Sequence, residues 1–293
     1  MVVIRSEGKF NDNTYLLDGN LYKLIGALSL FVIENNDIRM LVDTSSELAS
    51  RVVAKKLKDS NLLPIHKVFL THSHWDHVQA VHKLKTRIGE FEVLASENAI
   101  ENLNHPENTN EGFGYDVKPI TNLTPLKEGD IIDLNGLELE IINLFGHTMD
   151  SIAIYDSKND NIFVGDALCD RNDEWTYVPP LIIPDFHEDE MLKTFQKLRE
   201  MKSKLNSICL AHYGVWKGEH KDIIIDEMED LYFKTKDTTI QWCKQNLSLE
   251  EITKKYHEMF TPNSKFHTRD NIHGLQLQLE WFTEGLKLYG FID

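Results

Sequence analysis

Thr71-His72-Ser73-His74-Trp75-Asp76-His77 follows directly on Val68-Phe69-Leu70, an apolar run that reads as a buried strand. Three of the chain's 13 histidines and one aspartate fall within residues 72–77. With the strand ending near Thr71 and a helix starting near Asp76, these four side chains leave a single turn and can ring a point in space. Neutral imidazoles and a carboxylate are good Zn²⁺ ligands and also suit Fe or Mn, so residue type and spacing imply a metal site without naming its metal. The competing reading is a solvated strand-to-helix loop in which Asp76 only caps the helix. Histidine is uncommon, and that density of imidazoles weighs against it.

Working outward, residues 14–43 alternate apolar runs with turn residues. Thr14–Leu17, Leu21–Ile25, Leu30–Ile33 and Ile38–Thr44 read as strands, with Asn35-Asn36-Asp37 as a turn. Ser46–Leu62 carries Leu48, Val52, Val53 and Leu57 at helical spacing and leads into the strand before the motif. Beyond the motif, a helix is predicted over Val78–Ile88, a strand over Phe91–Ala95, a short helix over Ser96–Leu103 and a polar loop over 104–122. His82, rotated away from His77, and His105, in that loop, read as structural or surface residues. Strands resume with Asp130–Leu134, an Asn135-Gly136 hairpin turn, Leu137–Phe145, Ser151–Asp156 and Asn161–Val164. Cys169–His187, with Trp175, Tyr177 and three prolines, reads as a connecting loop or as a pocket wall. A helix over Glu188–Lys204 and a last strand over Ser207–Ala211 follow. Residues 219–246, 248–259 and 269–289 then show helical spacing, with Ser248 and Glu251 placed as a capping box.

Three further short motifs stand at strand ends, in order: Gly146-His147-Thr148, Gly165-Asp166 and Ala211-His212-Tyr213-Gly214. Together with H-x-H-x-D-H over 72–77, this set resembles the metallo-β-lactamase superfamily over roughly residues 10–216. The resemblance implies an α+β fold: a four-layer αββα sandwich of two similar halves meeting near residue 125, with metals at one edge between the sheets. It also implies a core over 1–217 and a helical C-terminal extension over 218–293, and it runs the 104–122 loop near the cleft mouth. His72, His74 and His147 would hold one ion, Asp76, His77 and His212 a second, and Asp166 would bridge them. The cofactors expected are therefore two divalent ions, Zn²⁺ first, with Fe or Mn as alternatives. A hydroxide shared by the pair would attack the substrate, and Asp76 would serve catalysis by holding the nucleophile and taking up a proton. Asp43, after a strand, resembles the family's structural aspartate; as a residue it reads as a turn or helix cap.

Departures from known branches narrow the reaction. Position 166 is Asp, where the best-known true β-lactamases carry Cys. Cys169 stands where lactonases of the family carry a tyrosine, and Tyr177 or Tyr213 would have to replace it unless both are core residues. Glyoxalase II shares the core and a helical extension, but this tail shows no glutathione signature. The expected activity is a dinuclear metal-dependent hydrolase of a small ester, thioester or lactone. The alternatives are a phosphodiesterase, an enzyme like the mononuclear-iron persulfide dioxygenases, or a regulatory binder whose helices close the cleft. His267 and His273, between the last two helices, are not expected to be ligands.

Composition sets the remaining bounds. At 293 residues, 41% hydrophobic and 27% charged, the chain is ordinary for a globular protein with one large core or a core plus an appendage. Its formal net charge of -16 repels phosphate backbones, so nucleic acid is not an expected partner. A small molecule is. Cys169, Cys209 and Cys243 are too few and scattered for a disulfide framework. No basic leader or long apolar run stands out, and the chain reads as cytoplasmic and without a membrane span. Ile224, Leu231, Phe233, Trp242, Leu275, Leu277, Trp281, Phe282 and Leu286 exceed what one outward-facing layer needs. They are expected to pack on the core, near the cleft, or on a second copy in a homodimer.

Overall fold

Leu30-Phe31-Val32-Ile33 and Val68-Phe69-Leu70 are apolar at every position, which a strand tolerates only when both its faces are covered. In the computed structural model, which describes residues 3–110, 113–168, 170–173, 176–178, 185–268 and 272–292, both faces are covered. The first sheet is formed by β2 (Gly8–Lys9), β3 (Thr14–Asp18), β4 (Ser29–Asn35), β5 (Ile38–Val42), β6 (Lys67–Phe69), β7 (Glu92–Ser96) and β8 (Leu123–Leu126), in that spatial order. The second contains β9 (Ile131–Asp133), β10 (Glu138–Asn143), β11 (Ile152–Asp156), β12 (Asn161–Phe163), β13 (Ser207–Leu210) and β14 (Gly214–Lys217). The N-terminal strand β1 (Val3–Ile4) joins this second sheet on the far edge of β14. Both sheets are mixed: β5 to β8 and the β12–β13 pair run parallel, and the remaining pairs antiparallel.

The period-2 alternation of a strand sorts these residues into three apolar layers. Phe31, Ile33, Phe69 and Leu94 of the first sheet meet Leu139, Ile141, Phe163, Cys209 and Val215 of the second. Val32, Val68, Leu70 and Val93 face outward against α1 (Ser50–Asp59) and α3 (Val81–Ile88) through Val53, Leu57, Val81 and Leu84. Ile142, Ile162, Ile208, Leu210 and Trp216 face outward on the other side. They pack on Phe195 and Leu198 of α6 (Glu188–Met201) and on the C-terminal helices α7 (Glu219–Lys244), α8 (Leu249–Phe260) and α9 (His273–Leu288). The result is the expected αββα sandwich with a C-terminal helical region, its halves changing over between β8 and β9. The Asn135-Gly136 turn joins β9 to β10 with both residues at positive φ, the geometry of a tight hairpin. Ser248 and Glu251 form the capping box that starts α8.

Several expected elements differ. Leu21–Ile25 is not a strand: Asn20, Tyr22 and Lys23 take left-handed φ. The Asp18 carboxylate accepts from Asn20 N (2.7 Å) and Gly26 N (2.5 Å), so the segment folds as a loop pinned at its base and Ile25 is exposed. Leu48 is also exposed, because helix α1 begins only at Ser50. The helix predicted over Val78–Ile88 starts three residues later, as α3, and is preceded by a separate short helix, α2 (Trp75–Val78). Thr44 N and Oγ1 donate to His77 O, and Ala80 N donates to Ser45 O, which diverts the chain between the two turns. Ser207–Leu210 is not the last strand, since β14 pairs along it. No helix among the described residues is long and apolar enough to cross a membrane.

Candidate metal centre

All seven expected ligands converge at one edge of the sandwich, Asp76 and His77 from the short helix α2 and the others from the turns that follow strands. Leu70 continues the pairing of β6, and the chain then turns through Thr71–His74 into α2, so His72, His74, Asp76 and His77 point to one side. His147 lies in the loop from β10 to β11, Asp166 in the turn after β12, and His212 between β13 and β14. The Asp166 Oδ2 atom is 3.4 Å from Nε2 of both His77 and His212, 3.6 Å from that of His147 and 3.9 Å from that of His72. Asp76 Oδ2 is 3.4 Å from His212 Nε2 and 3.8 Å from His77 Nε2. His74 Nδ1 and His147 Nε2 approach to 2.9 Å. His72–His74–His147 and Asp76–His77–His212 are each compact enough to surround an ion, with Asp166 between them.

The site fits divalent ions on its own chemistry. Nε2 of His72 and of His77 are buried and have no hydrogen-bond partner, a costly state for a polar atom without a ligand. Burial pushes the His72, His74 and His147 imidazoles down, the latter two to about 4 and about 3, so their lone pairs are available at neutral pH. Burial also opposes ionisation of Asp166, but His212 and His77 beside it hold its carboxyl well below the usual range.

The supporting residues fix the ring orientations. His77 Nδ1–H donates to Asp43 Oδ2 at 2.9 Å, which directs its Nε2 inward. Asp43 does occupy a turn, with φ 61, but its carboxylate serves the site: it also accepts from Thr71 N and Thr71 Oγ1. His212 Nδ1–H donates to Ala27 O at 2.6 Å. Gly165 has φ +54, and a Cβ there would sit 2.8 Å from Thr71 Cβ, so only glycine lets the Asp166 turn lie against the motif. We expect Asp43→Asn to weaken metal binding about 10- to 100-fold, as loss of an outer partner of a ligand does. Chelator competition measures it, and an unchanged affinity would remove Asp43 from the site.

Five of the seven ligands, His74, Asp76, His147, Asp166 and His212, line a cavity of about 350 Å³. Its walls include Leu21, Tyr22 and Leu24 of the pinned loop, Trp75, and Phe113 and Tyr115 of the 104–122 segment. Trp75 and Tyr115 stack at 3.7 Å, and Phe113 lies edge-on to Trp281 of α9. Phe266, His267, Leu277, Gln278 and Trp281, from the C-terminal region, complete the lining. His267 is buried there, and burial pushes its imidazole down to about 4; it is not among the groups that could hold a metal. Asp170 and Asn172, also in the wall, carried no sequence signal. Tyr177 and Tyr213 are core residues, each 1% exposed, and neither faces the cavity. Cys169, Trp175 and the three prolines of that segment lie outside the described residues. His82 binds Pro119 O and His105 pairs with Glu101 and Glu107, both away from the site.

Residues 27–212 match the sequence model of the metallo-beta-lactamase superfamily, which spans well over half the chain and takes in all seven expected ligands. The chain belongs to the metallo-β-lactamase superfamily. Its members are mainly metal-dependent hydrolases. Among curated relatives, it is 26% identical over 219 residues to a hydroxyacylglutathione hydrolase of Aliivibrio salmonicida, covering 73% of this chain and 67% of the relative. It is also 26% identical over 208 residues to an anaerobic nitric oxide reductase flavorubredoxin of Aeromonas hydrophila, covering 65% of this chain and only 40% of that longer protein. Among solved structures, a metallo-beta-lactamase family protein from Thermus thermophilus superimposes with a TM-score of 0.64 at 16% identity, covering 96% of this chain and 95% of its own. That likeness extends the shared fold of the superfamily through the C-terminal helices.

Proposed function

We propose that this superfamily member is a dinuclear metal-dependent hydrolase of a small organic ester, thioester or lactone. The observation that carries the reading is the position of Asp166, whose Oδ2 lies 3.4–3.9 Å from four inward-facing imidazole nitrogens, between two sets of three ligands. His72, His74 and His147 would hold one divalent ion, and Asp76, His77 and His212 the other. Bound there, such a pair supplies hydroxide at neutral pH and polarises a carbonyl oxygen. The chain's own contribution is position and exclusion. Asp76 is the most open ligand of the second set, lining the cavity with its side chain 15% exposed, which suits it to hold the attacking group and carry its proton. The aromatic walls exclude water from an apolar substrate body.

Residues 1–217 would then house the chemistry and 218–293 would shape the substrate range. The similarity to a hydroxyacylglutathione hydrolase supports ester and thioester hydrolysis, and the net charge of -16 disfavours nucleic acid polymers. Elemental analysis of the purified protein, followed by a panel of esters, thioesters, lactones and phosphodiesters, tests the reading. Two ions per chain and turnover of a carbonyl substrate are expected; a metal-loaded protein silent on the whole panel, yet binding a small molecule in the cavity, would make it a binder. Trp281→Ala should raise KM about fivefold with little change in kcat, since it removes an aromatic contact worth about 1 kcal/mol and touches no ligand. Steady-state kinetics on the best panel substrate measures this, and a fall in kcat alone would contradict it.

A further inference from the structure

The two ligand sets are not equivalent. His72, His74 and His147 group as three imidazoles, with Asp166 Oδ2 3.9 Å from His72 Nε2 and 3.6 Å from His147 Nε2. Around His212 two groups overlap: Asp76–His77–His212, and Asp166–Asp170–His212, in which each residue offers an atom within 4.8 Å of the others. Asp170 lies four residues beyond Asp166, bridged through its backbone to Val178 and half-buried in the cavity wall. The second position is therefore flanked by three carboxylates and two imidazoles. The Nε2 atom of His77, on a fully buried ring held from its other side by Asp43, lies 3.4 Å from Asp166 Oδ2 and 3.8 Å from Asp76 Oδ2, two of these three carboxylates.

We propose that Asp170 is an eighth ligand, which makes the second position oxygen-rich and gives it a preference for Mn²⁺ or Fe²⁺ over Zn²⁺. This rests on the dinuclear reading above and adds a residue and a metal class to it. Hard carboxylate oxygens suit Mn and, with imidazoles, Fe. Zn²⁺ in proteins is usually held by four donors, so it gains less from a fifth protein ligand. The first position, rich in imidazole, has no such bias. Across the divalent series affinity at a given site climbs from Mn²⁺ through Fe²⁺ to Cu²⁺ and falls at Zn²⁺, with Mn²⁺ the weakest, so extra oxygen donors are how a site can counter that order. A chain that uses both positions would then carry unlike ions, or two ions of the harder type.

The test uses the full-length chain stripped by a chelator and titrated calorimetrically with Zn²⁺, with Mn²⁺ and, without oxygen, with Fe²⁺. Two Mn²⁺ ions per chain are expected for the unaltered protein. In Asp170→Ala and Asp170→Asn the weaker-held Mn²⁺ should lose affinity at least about tenfold, while the first Zn²⁺ ion binds as before. Asp170→Asn keeps the shape of the side chain and removes its charge, so it reports on the ligand even if the alanine variant folds poorly. Mn²⁺ electron paramagnetic resonance should show the coupled signal of the pair in the unaltered protein and only isolated Mn²⁺ in the variants at equal loading. Wild-type affinity for both Mn²⁺ ions in the asparagine variant would overturn the proposal, as would an unaltered protein that takes up only one ion of any kind. Two ions with the expected losses, in a protein that hydrolyses no carbonyl substrate, would uphold Asp170 and defeat the hydrolase.

Discussion

Asp76→Ala is expected to reduce hydrolysis by about 10²- to 10⁴-fold, the range spanned by loss of a positioned acid–base group, while the fold stays intact. Asp76 opens α2 at the cavity floor, and its carboxylate meets His77 and His212 rather than any core residue. Removing it therefore strips a ligand from the second set and the group beside the reacting carbonyl without opening a void. His77→Ala would lower activity too, but it is the less clean experiment: the ring is fully buried and its loss leaves Asp43, 1% exposed, without the Nδ1–H that its Oδ2 accepts. That buried carboxylate would be costly. Turnover by the Asp76 variant within a few-fold of normal on the best substrate, with metal content intact, would show that the chemistry does not pass through this position.

Gly146→Ala should be the most damaging single methyl in the chain, destabilising it by about 2–5 kcal/mol through combined overpacking and backbone strain. Gly146 has φ +134, and a Cβ placed on it would lie 2.3 Å from Met191 Cα and 2.4 Å from Met191 N. Neither can yield, because the first turn of α6 is fastened to this strand end: His187 N donates to Gly146 O at 2.7 Å, and Thr194 Oγ1 donates to Phe145 O at 2.7 Å. The helix would have to move off the sheet, and His147 with it. Chemical denaturation reads the loss directly; a midpoint equal to the unaltered protein would mean that the approach of α6 is looser than the backbone contacts show.

Gly146 also shows which kinds of information a single sequence carries. That a glycine precedes His147 is visible as a motif, but the reason, a helix start lying over it, depends on a segment more than forty residues later. The ligands themselves were legible because each stands where an apolar run stops, and a strand end is a local signal. Asp43 was harder: its turn geometry is local, whereas its work on His77 depends on where α2 packs. The Leu21–Ile25 run misled because its apolar spacing matches a strand; only the captures by Asp18 make it a loop. Strand β14 was hidden between His212 and the start of α7, where four residues are too few to show alternation. Asp170 and Phe113 meet the cavity from distant parts of the chain and carry no pattern of their own, whereas Trp281 stood out among the surplus apolar positions of the tail.

The loop between β3 and β4 carries two duties within eight residues. Leu21, Tyr22 and Leu24 face the cavity, and Ala27 O holds the ring of His212. Asn172 Nδ2 in turn donates to Ala27 O at 3.0 Å, so the same carbonyl ties the loop to the far wall. An insertion or exchange here alters what the cavity admits and tilts a ligand at the same time. Helix α9 meets the cavity with no ligand on it. Descendants of this sequence are therefore free to explore new substrates through α9 one substitution at a time, whereas the β3–β4 loop can change only together with the centre it steadies. A library aimed at altered selectivity gains most from positions 277, 278 and 281, and drift among relatives should be slow at 26–28 and fast there.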